Sequence, residues 1–145
     1  RSSKCCKTNM KENEVKILKS LNRYLPDKAV LCESEYHRFD AENNNYIVEL
    51  KYRNAKYNDW IIEFDKYAYN KVYAEINNKI FLYVVGYENY IWIYNITELD
   101  NSGYNYKWQN KAMPKQTEFN KNYDIVKYVG HLELSVAKNK IQMED

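Results

Sequence analysis

The chain has 145 residues, of which 45% are hydrophobic and 16% aromatic, and its formal net charge is +2. This composition excludes a disordered chain, which would contain few aromatic residues and a larger net charge, and the length suits one domain rather than two. No segment approaches the ~20 apolar residues that span a bilayer, and the N-terminus lacks the apolar stretch of a secretory signal. We therefore expect a single soluble, cytoplasmic domain with no membrane partner.

The three cysteines are Cys5, Cys6 and Cys32, and the two histidines are His37 and His131. The number of cysteines is odd, so a disulfide framework is not expected. The spacing of the cysteines and histidines does not match a zinc site, so bound zinc is not expected either. A reducing compartment fits this cysteine usage.

Residues 1–9 precede Met10, which reads as a natural start, so we treat 1–9 as a non-native leader or disordered extension and 10–145 as the domain. Frequent Lys, Asn, Ile and Tyr codons are typical of AT-rich genomes. A low-GC bacterium, a phage or another virus would give this usage, and for a virus the compartment would be the cytosol of the host cell.

The first predicted element is a helix over residues 11–25, because apolar residues recur there every three or four positions, at Val15, Leu18, Leu21 and Leu25. Pro26 ends this pattern. A short strand over 28–32 follows, and residues 33–40 form a second extended piece. The asparagine-rich stretch 41–45 predicts a turn that joins this piece to a strand over 46–53 as a hairpin.

Asn58 or Asp59 is the expected cap of a long helix, whose apolar stripe is Ile61, Phe64, Ala68, Val72 and Ile76. Residues 79–85 (KIFLYVV) read as a central strand covered on both faces, and 90–96 as a further strand. The polar stretch 101–122 reads as a loop, and 126–136 as a final edge strand.

The strand over 46–53 carries charges where a buried strand would carry apolar residues. Because side chains alternate in a strand, Ile47, Glu49 and Lys51 share one face, and the opposite face is the expected core side. Glu49 and Lys51 lie about 7 Å apart along the strand, and the antiparallel partner of the hairpin brings Asp40 beside them. The sequence thus predicts three charges that converge on one face.

Two neighbouring carboxylates form a natural site for Mg²⁺, which prefers oxygen ligands and retains several waters. A lysine beside such a site can offset the charge of a phosphoryl group, which suits phosphodiester hydrolysis. The alternative is a solvated ion pair on an edge strand. The Glu-x-Lys tripeptide alone does not decide between them, because it also occurs at 14–16.

The order of a helix, a hairpin with Asp40 and Glu49-Leu50-Lys51, a helix and two strands resembles the PD-(D/E)xK nuclease superfamily over residues 11–96. Phe39 stands where the family often has proline. The resemblance implies an α/β (α+β) restriction-endonuclease-like core, with a mixed central sheet flanked by helices in the order α-β-β-β-α-β-β. It also implies that Asp40, Glu49 and the Leu50 carbonyl bind the metal, that Lys51 is catalytic, and that Mn²⁺ can replace Mg²⁺.

The resemblance suggests further site residues. Members often carry a glutamate on the first helix, for which Glu14 is the candidate. The segment IIEFDKYAYN resembles the helix that follows Glu-x-Lys in small phage-type nucleases, where a basic or amide side chain faces the cleft. Lys66 is favoured over Lys71 for this catalytic position. Additional polar candidates are Glu63 and Asn70 on the same helix and Glu33 and Glu35 upstream.

The segment 101–122 is rich in aromatic and basic residues that could stack on splayed bases and contact phosphates. The candidates, together with Lys71, are Tyr104, Tyr106, Lys107, Trp108, Lys111 and Lys115. The alternative is ordinary packing, since the chain has 16 tyrosines and clusters of them arise without a binding role.

These observations lead to the expectation of a magnesium-dependent nuclease, most simply a DNA endonuclease of a phage or mobile element. A homodimer would cut both strands of a duplex, and a monomer would nick one strand or cut branched structures; the sequence is compatible with both. The alternative is a non-catalytic module on the same fold that binds nucleic acid or a host protein.

Overall fold

A computed structural model describes residues 12–32, 38–117 and 120–143, with side chains considered outside 114–124. Within these ranges the protein is a mixed α+β domain with a mixed six-stranded sheet, a second sheet of three strands and three α-helices. This confirms the expected fold class at that level. No helix in the described part of the chain is both long and apolar enough to cross a membrane.

The helices and strands follow one another along the chain. They are α1 (Glu12–Tyr24), β1 (Val30–Leu31), β2 (Ala41–Glu42), β3 (Tyr46–Arg53), β4 (Asp59–Glu63), α2 (Phe64–Ile76), β5 (Ile80–Tyr87), β6 (Tyr90–Asn95), α3 (Ile96–Asn101), β7 (Gln109–Thr117), β8 (Asn120–Glu133), a 3₁₀ turn (Leu134–Val136) and β9 (Asn139–Gln142).

The larger sheet has the strand order β1-β2-β3-β5-β6-β9. Strands β3 and β5 are parallel, and the other neighbours in this sheet are antiparallel. Parallel neighbours need a crossover connection, and the chain makes it through β4 and α2. The smaller sheet has the order β4-β8-β7 and is antiparallel.

Apolar side chains cover both faces of the larger sheet. On one face, α1 packs its residues Ile17, Leu18 and Leu21 in a cluster with Val48, Leu50, Leu82, Val84, Ile91 and Ile93. On the other face, Ile47, Phe81, Tyr83, Val85 and Tyr94 pack with Ala74 of α2 and with Trp60, Ile62 and Leu132 of the smaller sheet. The expectation that β3 has its core on one face only is therefore wrong, because the smaller sheet and α2 bury the second face.

Helix α1 confirms the first predicted element, and Leu18, Leu21 and Leu25 of the predicted apolar stripe are buried. Ile17, Ser20 and Leu21 are fully buried, whereas Val15 is 44% exposed. Beyond the helix, the Asn22 side chain donates to the Ala29 carbonyl and accepts from its N–H, at 3.0 and 2.8 Å. This pair of hydrogen bonds fixes the connection into β1.

The predicted hairpin is present as β2 and β3, with a shorter turn than expected. Oδ1 of Asn43 accepts hydrogen bonds from the N–H groups of Asn45 and Tyr46, at 2.8 and 2.7 Å. This local side-chain capping is what makes asparagine favourable in turns. Residues 42 and 41 belong to β2, and residues 33–37 of the preceding predicted strand lie outside the described ranges.

The long helix predicted from residue 58 or 59 begins only at Phe64. Residues 59–63 are β4, in which alternating Trp60 and Ile62 are buried and which pairs with β8. The proposed apolar stripe also does not face the core: Phe64, Val72 and Ile76 are 39%, 52% and 77% exposed. The buried row of α2 instead contains Asn70 and Ala74, flanked by tyrosines whose rings supply the apolar surface.

The C-terminal third also differs from expectation. Part of the segment predicted as a loop is β7, which pairs along its length with β8. Strand β8 is the central strand of the smaller sheet rather than an edge strand, and β9 forms the outer edge of the larger sheet. The polar composition of this segment favoured a loop. Its strand conformation depends on pairing with β8, which lies later in the chain.

Candidate active site

Glu49 lies in the middle of β3 with its side chain turned toward α2, and it is only 2% exposed. Burial, reinforced by the negative charge of Asp40, raises the pKa of this carboxyl from 4.5 to about 7, while Lys66 and Lys51 oppose the rise. A glutamate with this pKa changes charge near neutral pH, which is a common property of functional carboxyl groups.

Two lysines approach the same oxygen of Glu49. Nζ of Lys66 lies 3.2 Å from Oε2, and Nζ of Lys51 lies 4.0 Å from it. Lys66 is in the first turn of α2, so the start of this helix places the ammonium group over β3. The side chains of Lys51 and Lys66 are 28% and 33% exposed, so both lysines are in contact with solvent, whereas the carboxylate that they approach is buried.

Asp40 stands at the other arm of the hairpin. Its N–H donates to the Val48 carbonyl, and its Oδ2 accepts from the N–H of Leu50, both at 2.8 Å. Ala41 is paired with Val48 in the antiparallel register, and continuing this register by one residue sets Asp40 opposite Glu49. Directly opposed residues share a face of the sheet, so the two carboxylates are neighbours.

The second oxygen of Glu49, Oε1, is buried and has no hydrogen-bond partner among the described residues. A buried acceptor without a partner is costly, and a cation or a water molecule would satisfy it. Mg²⁺ is commonly held by one or two carboxylates and several waters, so Asp40 and Glu49 fit this ion. No cluster of three or more His, Cys, Asp or Glu side chains suited to a metal occurs in 12–32, 38–117 or 120–143.

Four charges therefore form one cluster, which we call the acid–lysine centre: Asp40, Glu49, Lys51 and Lys66. The structure brings together all four side chains that the sequence assigned to catalysis. Leu50, the proposed third ligand through its carbonyl, lies between Glu49 and Lys51, and its side chain packs on the α1 face.

The additional candidates lie elsewhere or outside the described residues. Glu14 is on α1, which covers the face of the sheet opposite to Glu49. Glu63 pairs with Lys127 at 3.1 Å, and Lys71 pairs with Asp100 at 3.7 Å. Glu33 and Glu35 fall in the range 33–37, which the structure does not describe.

Asn70 lies one helical turn beyond Lys66 and is fully buried rather than facing a cleft. Neither Oδ1 nor Nδ2 of its amide has a hydrogen-bond partner among the described residues. A buried amide in this state is normally satisfied by an ordered water. The polar face expected from Glu63, Lys66 and Asn70 is thus divided, and only Lys66 reaches Glu49.

The aromatic residues of the predicted binding loop take part in internal packing. Tyr106 is 4% exposed, and its hydroxyl donates to Oδ1 of Asp100 at 2.8 Å. The hydroxyl of Tyr104 donates to the His131 carbonyl at 2.8 Å. Trp108 lies with its ring centroid 5.0 Å from that of Tyr67. These contacts engage all three rings in internal packing, most completely that of Tyr106, while Tyr104 and Trp108 stay partly exposed.

Among the basic residues of that segment, Lys107 and Lys111 are exposed, and the side chain of Lys115 is among those that the structure does not describe. Lys111 lies on β7 and lines a cavity near the end of β3. Of the predicted nucleic-acid contacts, Lys107 and Lys111 are therefore the clearest solvent-facing cations.

Two residues beside the centre were not singled out from the sequence. Arg53 follows Glu49 and Lys51 at alternate positions of β3, and its Nη2 donates to the Ile61 carbonyl at 3.1 Å. Tyr83 is paired with Glu49 across β3 and β5, and burial raises the pKa of its hydroxyl. In the sequence, the charged residues Glu49, Lys51 and Arg53 alternate along β3, and this pattern could have indicated Arg53. No local sequence pattern indicated Tyr83.

No protein-family model matches this chain, and no curated protein matches it significantly. The chemistry of the acid–lysine centre is therefore inferred from its geometry.

Proposed function

We propose that the protein is a metal-dependent nuclease that hydrolyses phosphodiester bonds, most simply a DNA endonuclease that uses Mg²⁺. The observation that carries this proposal is the carboxylate of Glu49: it is buried, one oxygen lacks a partner among the described residues, and Asp40 and two lysines surround it. Such a group is expensive to maintain unless it has a ligand or a chemical role.

Asp40 and Glu49 would hold the metal ion, with the Leu50 carbonyl as a further ligand. Mg²⁺, when bound, withdraws electron density from the scissile phosphate, and Mn²⁺ can take its place. The hydrogen bond between Asp40 and the Leu50 N–H fixes one carboxylate against β3, so the two arms of the hairpin keep a constant separation.

The two lysines have different roles in this proposal. Lys66 holds Oε2 of Glu49 at 3.2 Å, which leaves Oε1 directed to the ion. Lys51 is 4.0 Å from the same oxygen and is the freer cation, suited to offset the negative charge that develops on the phosphoryl group. Lys51 is thus the proposed catalytic lysine and Lys66 the residue that orients the ligand.

The order of elements supports the proposed relation to the PD-(D/E)xK superfamily. The hairpin that carries Asp40 and Glu49 is followed by the crossover through α2 and by two strands of the same mixed sheet, with helices on both faces. Strand β4, which lies between the hairpin and α2, is an addition to the expected order. A restriction-endonuclease-like core remains part of the proposal.

A cleavage assay tests the proposal. Supercoiled, linear, branched and single-stranded DNA, and RNA, are incubated with the protein in Mg²⁺, Mn²⁺ or EDTA. Cleavage that needs the metal and falls at least about 100-fold in Glu49→Gln and Lys51→Ala is the expected result. The matched controls Glu98→Gln and Lys138→Ala break an exposed ion pair of 3.0 Å and should retain activity.

Equal cleavage by wild type and Glu49→Gln would refute the catalytic role. The competing function is a non-catalytic binding module, which is favoured by one observation: the two acids and two lysines of the centre balance one another without a metal. Binding of nucleic acid or a protein without metal-dependent cleavage would support that function instead.

Because the described residues of each chain hold one such centre, the products of supercoiled DNA report the assembly. A homodimer converts the circle directly to a linear form, and a monomer nicks it first.

A further inference from the structure

A cavity of about 280 Å³ opens beyond the end of β3, between the loop that follows this strand, β4 and β7. Its walls include Arg53, Tyr57, Trp60, Lys111 and Met113, together with Asp59. We propose that this cavity, the β3-end pocket, binds one unpaired nucleotide of the strand that the acid–lysine centre cuts. The inference rests on the proposed nuclease function and specifies its substrate as nucleic acid with a single-stranded segment.

The pocket is continuous with the centre along one strand. Glu49, Lys51 and Arg53 occupy alternate positions of β3 and therefore face the same side. The hydroxyl of Tyr83 joins them, since Arg53 Nη2 approaches it at 3.5 Å and Tyr83 is paired with Glu49. At about 3.3 Å per residue, Arg53 lies about 13 Å from Glu49, which is a distance of a few nucleotides.

The charge of the pocket suits a phosphate. Arg53 and Lys111 stand on two different strands, β3 and β7, and an arginine offers several donors in a planar fork. Among the described residues, the Arg53 side chain donates to the Ile61 carbonyl and the Tyr83 hydroxyl, in both cases from Nη2. The acid of the pocket, Asp59, lies 3.2 Å from Nδ1 of His131 and is outnumbered by the two cations.

The apolar part of the pocket suits a base. Tyr57 is 59% exposed, so its ring presents a face to solvent, in contrast to the rings of Tyr104 and Tyr106. Base–aromatic stacking is a sequence-tolerant mode of single-strand recognition. A base offers its face only when it is unstacked, so a pocket of this kind selects unpaired nucleotides over an intact duplex.

Binding measured without cleavage tests this site separately from the nuclease activity. A fluorescein-labelled single strand and the duplex of the same sequence are titrated with protein in EDTA, and the dissociation constant is read from fluorescence anisotropy. Tyr57→Ala should weaken single-strand binding by roughly 5- to 100-fold and leave duplex binding unchanged. Lys111→Ala should weaken binding to both and reduce the salt-dependence exponent by about 1.

Matched controls are Tyr24→Ala and Lys19→Ala, which remove an exposed tyrosine and an exposed lysine of α1 on the opposite face of the sheet. Both should bind as wild type does. Thermal unfolding of each variant excludes misfolding as the cause of a loss. Unchanged single-strand affinity in both Tyr57→Ala and Lys111→Ala would overturn the pocket, and an equal loss for duplex in Tyr57→Ala would overturn its selectivity for unpaired bases.

Cleavage in Mg²⁺, measured on the same preparations, distinguishes the two proposals. A wild-type protein that binds single strands through Tyr57 without cutting them would retain the pocket and refute the nuclease. A protein that cuts DNA while both pocket variants bind normally would retain the nuclease and refute the pocket.

Discussion

The ammonium group of Lys66 lies 3.2 Å from Oε2 of Glu49, although 17 positions of the chain separate the two residues. The contact joins a helix to the strand beneath it and partly compensates a charge that is almost fully buried. Its energetic consequences can be measured with or without a substrate.

The first prediction concerns stability and pH. Because burial raises the pKa of Glu49 from 4.5 to about 7, the folded protein binds more protons at this group than the unfolded chain does between these values. The free energy of unfolding should therefore fall as the pH rises through this window, by on the order of 3 kcal/mol from this group. The free energy of unfolding of Glu49→Gln minus that of wild type should therefore be larger at pH 8 than at pH 4.

Urea unfolding of both proteins from pH 4 to pH 8.5 in EDTA measures this difference, and subtracting the two curves cancels the other titrating groups. Glu98→Gln, which breaks an exposed ion pair with Lys138, is the control for the substitution itself. A flat difference curve for Glu49→Gln would contradict the raised pKa of Glu49.

The second prediction isolates the neighbouring acid. Asp40→Asn removes the like charge that helps to raise the pKa of Glu49, so that pKa should fall, while the amide oxygen can still accept from the Leu50 N–H. The pKa can be followed by NMR titration of the Glu49 side-chain carboxyl carbon. Glu42→Gln, a change two residues further along the same arm of the hairpin at a residue paired with Lys79, serves as the control and should leave the Glu49 pKa unchanged.

The third prediction separates the two lysines. Lys66→Met should raise the pKa of Glu49 more than Lys51→Met does, because Lys66 is closer and also donates a hydrogen bond. At pH 8 Lys66→Met should cost about 1–3 kcal/mol of stability, less than the ~3–5 kcal/mol typical of fully buried pairs, since Lys66 is partly solvated. At pH 5 Glu49 is protonated and the loss should be smaller. An equal loss at both pH values would contradict an ionic role for the contact.

The fourth prediction concerns the packing of α1. A Cβ at Gly86 would lie 2.7 Å from Cδ1 of Ile17 and 3.3 Å from Cδ1 of Tyr52, so Gly86→Ala should destabilise the fold by about 1–3 kcal/mol. Ile17→Ala removes both close atoms, Cδ1 at 2.7 Å and Cγ1 at 2.8 Å, and should cost about 2–5 kcal/mol alone. The double variant should lose less than the sum of the single losses, as measured by chemical unfolding. Strict additivity would show that the side chains at positions 86 and 17 do not interact.

The sequence was sufficient to predict the acid–lysine centre in outline, because its logic is local. Alternation in β3 places Glu49 and Lys51 on one face, an asparagine turn returns the chain to Asp40, and both rules depend on a few adjacent residues. Lys66 required one further step, the position of a helix relative to the strand, and its predicted proximity to the centre agrees with the structure.

What the sequence did not reveal depends on distant pairing. Ile61 and Phe64 fit a helical spacing, whereas the buried Trp60 and Ile62 alternate as in a strand, and only the pairing with β8 decides between the two. The burial of Glu49 also depends on the smaller sheet and α2, which cover a face that appeared open when β3 was considered alone. For the same reason Val72 and Ile76, apolar by type, could not be recognised as solvent-exposed.

The parallel pairing of β3 with β5 has a consequence for any excised fragment. A synthetic peptide of residues 38–53 contains both acids and Lys51, yet it lacks the crossover that delivers Lys66 and the layers that exclude water. Its Glu49 should ionise like that of an unstructured peptide and should not capture a metal selectively. The grouping of these four charges is therefore a property of the whole domain, formed only when the chain has crossed its own sheet.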